Sequence, residues 1–405
     1  MRRPGTEVAD IFRKYGPDYR ASHIMLLNQY KAMGAIEACR TSILGGHRDK
    51  CDNDECGHIA ISYNSCRNRH CPKCQFLNKE RWIAARNDDL LPIQYFHVVF
   101  TIPSELNIIA LRNPKVMYDL LFRSASETLI ELGNDRFGAR IGFIGILHTW
   151  GQNLMDHPHI HCVVTGGGLS SDERRWVACR KNFFIPVRVM SALFRGKFLG
   201  YLKDCYAARK LILAGTTNAL TEPYAFEQFL GKLYNKKWVV YCKPPFNGVD
   251  GVLDYLSRYT HRIAIGNERI LKVEDGKVTF HWRDYSDGNH EKIMTLDAEE
   301  FIRRFLLHVL PGRYVKIRHF GLLANRRRKY HIALCRLLLG SDKTETVNAE
   351  NRTWQELLLQ VAGVDVTTCP VCRKGRMVTI EILHPCRCTG PPGQYCCYEC
   401  SGTRK

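Results

Sequence analysis

Four histidines, His148, His157, His159 and His161, fall within one short stretch that ends His-Pro-His-Ile-His. Side chains alternate along a strand, so His159 and His161 face one side while Ile160 turns to the other, into a core. Two imidazoles about 7 Å apart, two strand rises of about 3.3 Å, can converge on one ion. His148, on a partner strand across a short turn, supplies a third nitrogen; His157, in the turn before Pro158, is the alternative donor. Three protein ligands leave positions open for a substrate oxygen, as a catalytic ion requires. Imidazole nitrogen favours Mn²⁺, Zn²⁺ or Co²⁺, whereas Mg²⁺ prefers oxygen and would draw on phosphate and water.

A second constellation is Tyr255 and Tyr259, an i,i+4 pair on a helix expected over Asp250–Arg262, with Asp250 as N-cap. Val249, Leu253 and Leu256 form its apolar stripe, and the tyrosines flank that stripe with their hydroxyls able to reach a cleft. Arg258 and Arg262 lie beside them, suited to phosphate oxygens. A phenol of pKa about 10 is a weak nucleophile at neutral pH. A divalent ion and neighbouring cations make its attack on phosphorus feasible, leaving a phosphotyrosine link that stores the energy of the cut bond.

The third chemistry is thiolate. Of 18 cysteines, six lie from Cys39 to Cys74 and seven from Cys369 to Cys400. The first residues, MRRPGTEVADIFRKYG, carry no apolar secretory segment, so metal is expected rather than disulfides. Cys51-x4-Cys56 and Cys71-x2-Cys74 give two knuckles suited to a tetrahedral structural zinc, with Cys66, His47, His58 and His70 as spare donors. Cys369, Cys372, Cys397 and Cys400 have the spacing of a second zinc site, with Cys386, Cys388 and Cys396 as substitutes. Zn²⁺ is thus expected in one or two structural sites.

These groups need elements to position them. Tyr95–Ile102 reads as a strand, and Ile141–Trp150 and Pro158–Thr165 as a hairpin turning at Gly151–His157 and ending at Gly166–Gly168. Helices are expected over Ile24–Ala38, Arg188–Ala208 and Ala298–Val309, and strands near Ile270–Val273 and Val278–Arg283. The reading is an α+β fold in three parts. Residues 1–90 form a helical lead-in and zinc module, 91–340 a catalytic domain, and 341–405 a zinc-ribbon-like module.

Lys plus Arg is 59 against 40 Asp plus Glu, a formal +19, which points to a nucleic-acid partner. Arg67, Arg69, Lys73, Lys79 and Arg81 surround the N-terminal knuckles and would face phosphates. Arg313, Lys316, Arg318, Arg326, Arg327, Arg328 and Lys329 form an acid-free run; interleaved with Tyr314, Phe320 and Tyr330, it would make a stacking track for a single strand. No apolar run reaches the roughly 18 residues of a membrane span, so the expectation is a cytoplasmic protein with no membrane partner. No Gly-x4-Gly-Lys-Ser/Thr phosphate loop is present to drive strand separation.

Together, Ser65-Cys-Arg-Asn-Arg-His-Cys-Pro-Lys-Cys74, the His159-Ile-His161 run and Tyr255-x3-Tyr259 resemble the rolling-circle transposases of the insertion-sequence-91 group. Those are two-tyrosine HUH (His-hydrophobic-His) nucleases. Phe194–Leu199, Arg258–Ala264 and Phe301–Pro311 look like the same family, and the likeness runs from about residue 25 to about residue 375. The resemblance implies an antiparallel sheet bearing the histidines, a tyrosine helix beside it, and Mg²⁺ or Mn²⁺ positioning a phosphate of single-stranded DNA. It makes His159 and His161 the paired ligands and Tyr255 and Tyr259 the nucleophiles; His148 resembles the third histidine of conjugative relaxases. It implies transposon ends and target as substrates, a host helicase or replication machinery as partner, and a bacterial, nucleoid-associated location. A plasmid replication initiator or relaxase, and a non-catalytic zinc-containing DNA-binding regulator, are the alternatives.

Overall fold

A computed structural model describes residues 5–75, 79–80, 82–83, 86, 89–243, 246, 251–253, 255–256, 260, 262–285, 287–341, 353, 355–356, 358–359, 363 and 365–386. The chain forms two compact units, each assembled from separated segments. One comprises residues 1–81, 263–309 and 351–405, the other 82–262 and 310–350. Each unit gathers segments from more than one of the consecutive parts expected from sequence. The terminal cysteine segments belong to one unit, together with the 263–309 segment assigned from sequence to the catalytic domain, because strand pairing joins chain ends that the sequence keeps apart.

In the first unit, α1 (Val8–Ser22) and α2 (Leu27–Ala38) precede a sheet of β1 (Gly46–Cys51) and β2 (Ile59–Tyr63). Strand β12 (Met377–Leu383) pairs with the other edge of β1, antiparallel, from Gly46↔Leu383 to Cys51↔Met377. A second antiparallel sheet holds β8 (Ile270–Glu274), β9 (Lys277–Asp284) and β10 (His290–Asp297), and leads into α7 (Ala298–Leu307). Helix α7 packs Phe301 on Phe280 of β9 and Phe305 edge-on to Phe12 of α1, with ring centroids 5.8 and 5.2 Å apart. The Ala298–Val309 helix expected from sequence ends two residues sooner.

The second unit is built on an antiparallel sheet ordered β11-β4-β5-β3-β7, with β6 (Trp176–Ala178) on the end of β5. Its strands are β3 (Tyr95–Thr101), β4 (Ala139–Trp150), β5 (Asp156–Ser170), β7 (Val240–Lys243) and β11 (Ile317–Gly321). One face carries Phe96, Val98, Phe100, Phe143, Leu147, Ile160, Cys162 and Val164. It is covered by α4 (Pro114–Phe137), α5 (Val187–Ala207) and α6 (Pro223–Asn235), with α3 (Asn107–Arg112) at the rim. Pro114 opens α4 where its missing N–H costs nothing, and Gly138, at φ +59°, closes it. The opposite face carries Tyr95, Ile144, Ile146 and Val163, packed under Val252, Tyr255, Leu256 and α8 (Arg328–Leu338). The alternating strand pattern thus divides two cores cleanly, and the α+β antiparallel expectation holds.

The hairpin turns at Gly151–Met155, with hydrogen bonds from Gly151 N–H to Met155 O and from Leu154 N–H to Gly151 O. Gly166–Gly168 does not end the hairpin. Pairing continues to Ala139↔Ser170, and at φ +145° Gly167 lets the strand bend toward β6, where a Cβ would lie 2.4 Å from Val177 O.

Candidate active site and thiolate clusters

The histidines project from the face opposite α4 and α5. His148 on β4 is the direct cross-strand partner of His159 on β5, and His161 stands two residues along the same strand. A register shift between His148 and Trp150 marks a bulge at the end of β4, a device that re-aims side chains beside functional sites. One ring nitrogen from each of His148, His159 and His161 lies within 4.8 Å of the others, a spacing one divalent ion can bridge. The His159 and His161 Nε2 atoms are 3.0 Å apart. His159 Nδ1 lies 2.6 Å from the His157 carbonyl oxygen, so Nδ1–H donates there and Nε2 keeps its lone pair. The His157 ring is exposed and outside the trio; its backbone carbonyl, not its imidazole, serves the site.

Burial keeps the His159 and His161 rings neutral, the state a metal ligand needs. His159 is pushed down to about 3 by burial and by the charges of His157 and Arg262. His161 is held well below its ordinary value by burial, His148, His159, His97 and Arg262. Arg262 thus brings positive charge to His159 and His161, and its carbonyl accepts a hydrogen bond from Lys316 Nζ at 3.3 Å.

Residues 251–253 and 255–256 are helical, and Tyr255 is only 6% exposed. Its hydroxyl is not lost in hydrocarbon: it lies 2.9 Å from His161 Nδ1 and 2.5 Å from His97 Nε2. His97 Nε2 is itself 3.0 Å from His161 Nδ1. One tautomer assignment satisfies both contacts of the hydroxyl. With His161 Nε2 presenting a lone pair to its neighbours, Nδ1–H donates to the Tyr255 oxygen, whose own hydrogen points at His97 Nε2. Sequence reasoning placed His97 inside a plain strand. Register explains its role, because β3 lies beside β5 with Val99↔His161 and His97↔Val163, which puts His97 on the histidine face. Tyr259 and Arg258 lie outside the described residues.

The cysteines regroup. Cys71 and Cys74 gather with Cys39, at the end of α2, and with Cys66, named above as a spare donor. Cys51 and Cys56 gather with Cys369 and Cys372. The expected single site of Cys51, Cys56, Cys71 and Cys74 is thus divided between two clusters, because β1 carries its knuckle to β12 rather than toward Cys71. Cys397 and Cys400 lie outside the described residues.

The basic residues divide too. Arg67, Arg313, Arg326 and Arg327 are exposed. Lys73 pairs with Glu7 at 2.5 Å, and Arg69 is half-buried. Arg318 is tied to Asp119 at 2.6 Å and lies over the Phe122 ring, and Arg328 sits 3.4 Å from Asp89. The stacking track fails as drawn: Tyr314 is buried and Phe320 stacks on Phe143, so of the three aromatics only Tyr330 is exposed. Tyr314 packs against Tyr118 ahead of β11, and half-burying β11 against the core takes up Phe320.

Residues 142–330 match the family described as putative transposase, and residues 11–102 match the transposase zinc-binding domain. The first region holds the histidine trio and Tyr255, and the second holds Cys39, Cys66, Cys71 and Cys74, so the class is a transposase with an N-terminal zinc-binding domain. The chain is 49% identical to putative transposase y4qJ of Sinorhizobium fredii, over 97% of this chain and 98% of that one. It is 29% identical to the transposase for insertion sequence element IS801 of Pseudomonas savastanoi pv. phaseolicola, over 71% of this chain and 68% of that one. The chain belongs to the IS91 family of transposases. No solved structure matches it.

Proposed function

We propose that this transposase nicks and rejoins single-stranded DNA at the ends of its element, in rolling-circle-type transposition, through 5′-phosphotyrosine intermediates. The observation that carries this reading is the Tyr255 hydroxyl at 2.9 Å from His161, a member of the trio. In the nicking step the tyrosine oxygen forms a bond to phosphorus, the bond from phosphorus to the 3′ oxygen breaks, and the 3′-hydroxyl leaves. His97 Nε2 accepts the hydrogen bond of the phenol and so orients it; the phenol proton passes to solvent water, and the 3′ oxygen takes up a proton from water as it leaves. His148, His159 and His161 would hold Mg²⁺ or Mn²⁺, which supplies Lewis-acid polarisation of the phosphate. The donor set fits such an ion: burial holds the His159 and His161 rings neutral, and His159 Nδ1 is already engaged by a carbonyl. Arg262 supplies positive charge beside the phosphate, and Tyr259 is the second nucleophile for strand transfer. A host helicase or the replication machinery opens the duplex, in the bacterial cytoplasm at the nucleoid. Among the described residues no helix is long and apolar enough to cross a membrane.

The test is incubation with single-stranded DNA carrying the element end and Mg²⁺ or Mn²⁺, followed by a search for a denaturation-resistant adduct. A Tyr255→Phe/Tyr259→Phe double variant should form none. A parent protein that binds the DNA and yields no adduct and no 3′-hydroxyl would leave only a zinc-containing DNA binder.

A further inference from the structure

The zinc-binding family match stops at residue 102, yet one thiolate cluster reaches far beyond it. Cys51 Sγ is 3.7 Å from Cys372 Sγ, and Cys56 Sγ is 3.8 Å from Cys369 Sγ. A tetrahedral ZnS₄ centre with Zn–S of about 2.3 Å has sulfur–sulfur edges of about 3.8 Å. A disulfide would require about 2.05 Å. The spacing is that of four ligands around one ion.

The surrounding backbone is built for it. Gly375 N–H donates to Cys372 Sγ at 3.4 Å, and a Cβ on Gly375 would lie 2.5 Å from Cys51 Sγ. The two knuckles are joined by hydrogen bonds from Asp52 N–H to Arg376 O and from Arg376 N–H to Asp52 Oδ1, at 2.9 and 2.6 Å. Arg373, at φ +55°, and Gly57, at φ +56°, make the tight turns after the second cysteine of each pair. The pairing of β1 with β12 begins at Cys51 itself.

We infer that Cys51, Cys56, Cys369 and Cys372 hold a zinc ion of their own, distinct from that of Cys39, Cys66, Cys71 and Cys74, and that this ion clasps a C-terminal segment onto the N-terminal zinc-binding domain. Four thiols give up their protons as Zn²⁺ binds, and no position is left for a substrate, so the ion is structural. The inference is independent of the nicking chemistry.

Zinc stoichiometry of the purified full chain tests it. Cys51→Ser and Cys369→Ser should each remove one equivalent, and the Cys51→Ser/Cys369→Ser pair should also remove one. Cys51→Ser/Cys71→Ser should remove two. Two equivalents lost from the first pair, or one from the second, overturns the assignment. A measurement on the unsubstituted chain guards against misfolded variants: strip zinc with a chelator, oxidise with diamide, digest, and map disulfides by mass spectrometry. Links from Cys51 or Cys56 to Cys369 or Cys372 are expected. Links to Cys71 or Cys74 in their place, or none across these pairs, would refute it.

Discussion

The Tyr255 hydroxyl lies 2.5 Å from His97 Nε2, on the side of His161 that faces away from His159. The tyrosine therefore meets the histidine trio through a ring nitrogen left over once Nε2 is committed. His97 fixes that arrangement without belonging to the trio. His97→Ala should slow adduct formation by about 10²-fold, the scale of a reacting group displaced by about 1 Å, because the ring orients the Tyr255 hydroxyl. It should also weaken Mn²⁺ binding by about 10-fold through loss of support to His161. Single-turnover cleavage and Mn²⁺ titration read the two effects, and an unchanged rate at saturating metal would remove His97 from the mechanism.

His148→Ala, His159→Ala and His161→Ala should each abolish metal-dependent cleavage and saturable Mn²⁺ binding. His157→Ala should leave both within a few-fold of the parent, because the site uses its carbonyl and not its ring. Loss of Mn²⁺ binding in His157→Ala, with binding retained in His148→Ala, would exchange their roles.

Acid should loosen the metal-free protein in a definite direction. Burial and the charge of Lys243 push His97 down to about 3, against an ordinary 6.5. The unfolded chain then takes up a proton that the fold refuses, so the stability tied to the neutral ring is complete above pH 6.5 and is lost as pH falls toward 3. In chelator, the parent should lose up to about 1.4 kcal/mol per pH unit relative to His97→Gln across that window. Denaturant melts of both proteins at pH 7 and pH 5 check it; parallel changes would contradict the burial argument.

Salt should separate the arginines that meet DNA from those that hold the fold. Arg326→Ala/Arg327→Ala removes two exposed charges and should flatten the salt dependence of single-strand binding by about 1.4, at about 0.7 per phosphate contact. Arg318→Ala should instead lower thermal stability with little change in that slope, since Asp119 and Phe122 already hold the guanidinium. Fluorescence anisotropy across a salt series distinguishes the two.

Much of the histidine face is legible in the sequence alone. Strict alternation put His159 and His161 on one side of β5 and Ile160 in the core, and a hairpin brought in His148. The expected Arg188–Ala208 helix is displaced by one residue from Val187–Ala207. What the pattern could not convey was adjacency between distant strands. Periodicity states which way His97 points but not that β3 lies against β5. Cysteine spacing identifies knuckles but not which knuckle faces which, since any two pairs satisfy a tetrahedral ion equally. Helix α4 carried no expectation either. It buries Met117, Tyr118, Leu120, Leu121, Phe122 and Ser124 on several sides, so no single apolar stripe marks it.

The union of β1 with β12 bears on how this protein is made. Cys56 and Cys369 stand 313 positions apart. At a synthesis rate of about 5–20 residues per second, roughly 15–60 s of translation separate the appearance of one from that of the other. During that interval one flank of β1 waits without its strand, whereas His97, His148, His159, His161 and Tyr255 have all been made before the ribosome reaches β12. A frameshift or stop between Tyr255 and Cys369 would release polypeptides with every histidine of the trio but an unclosed N-terminal domain, so completion of that domain reports that the message was read past Cys369.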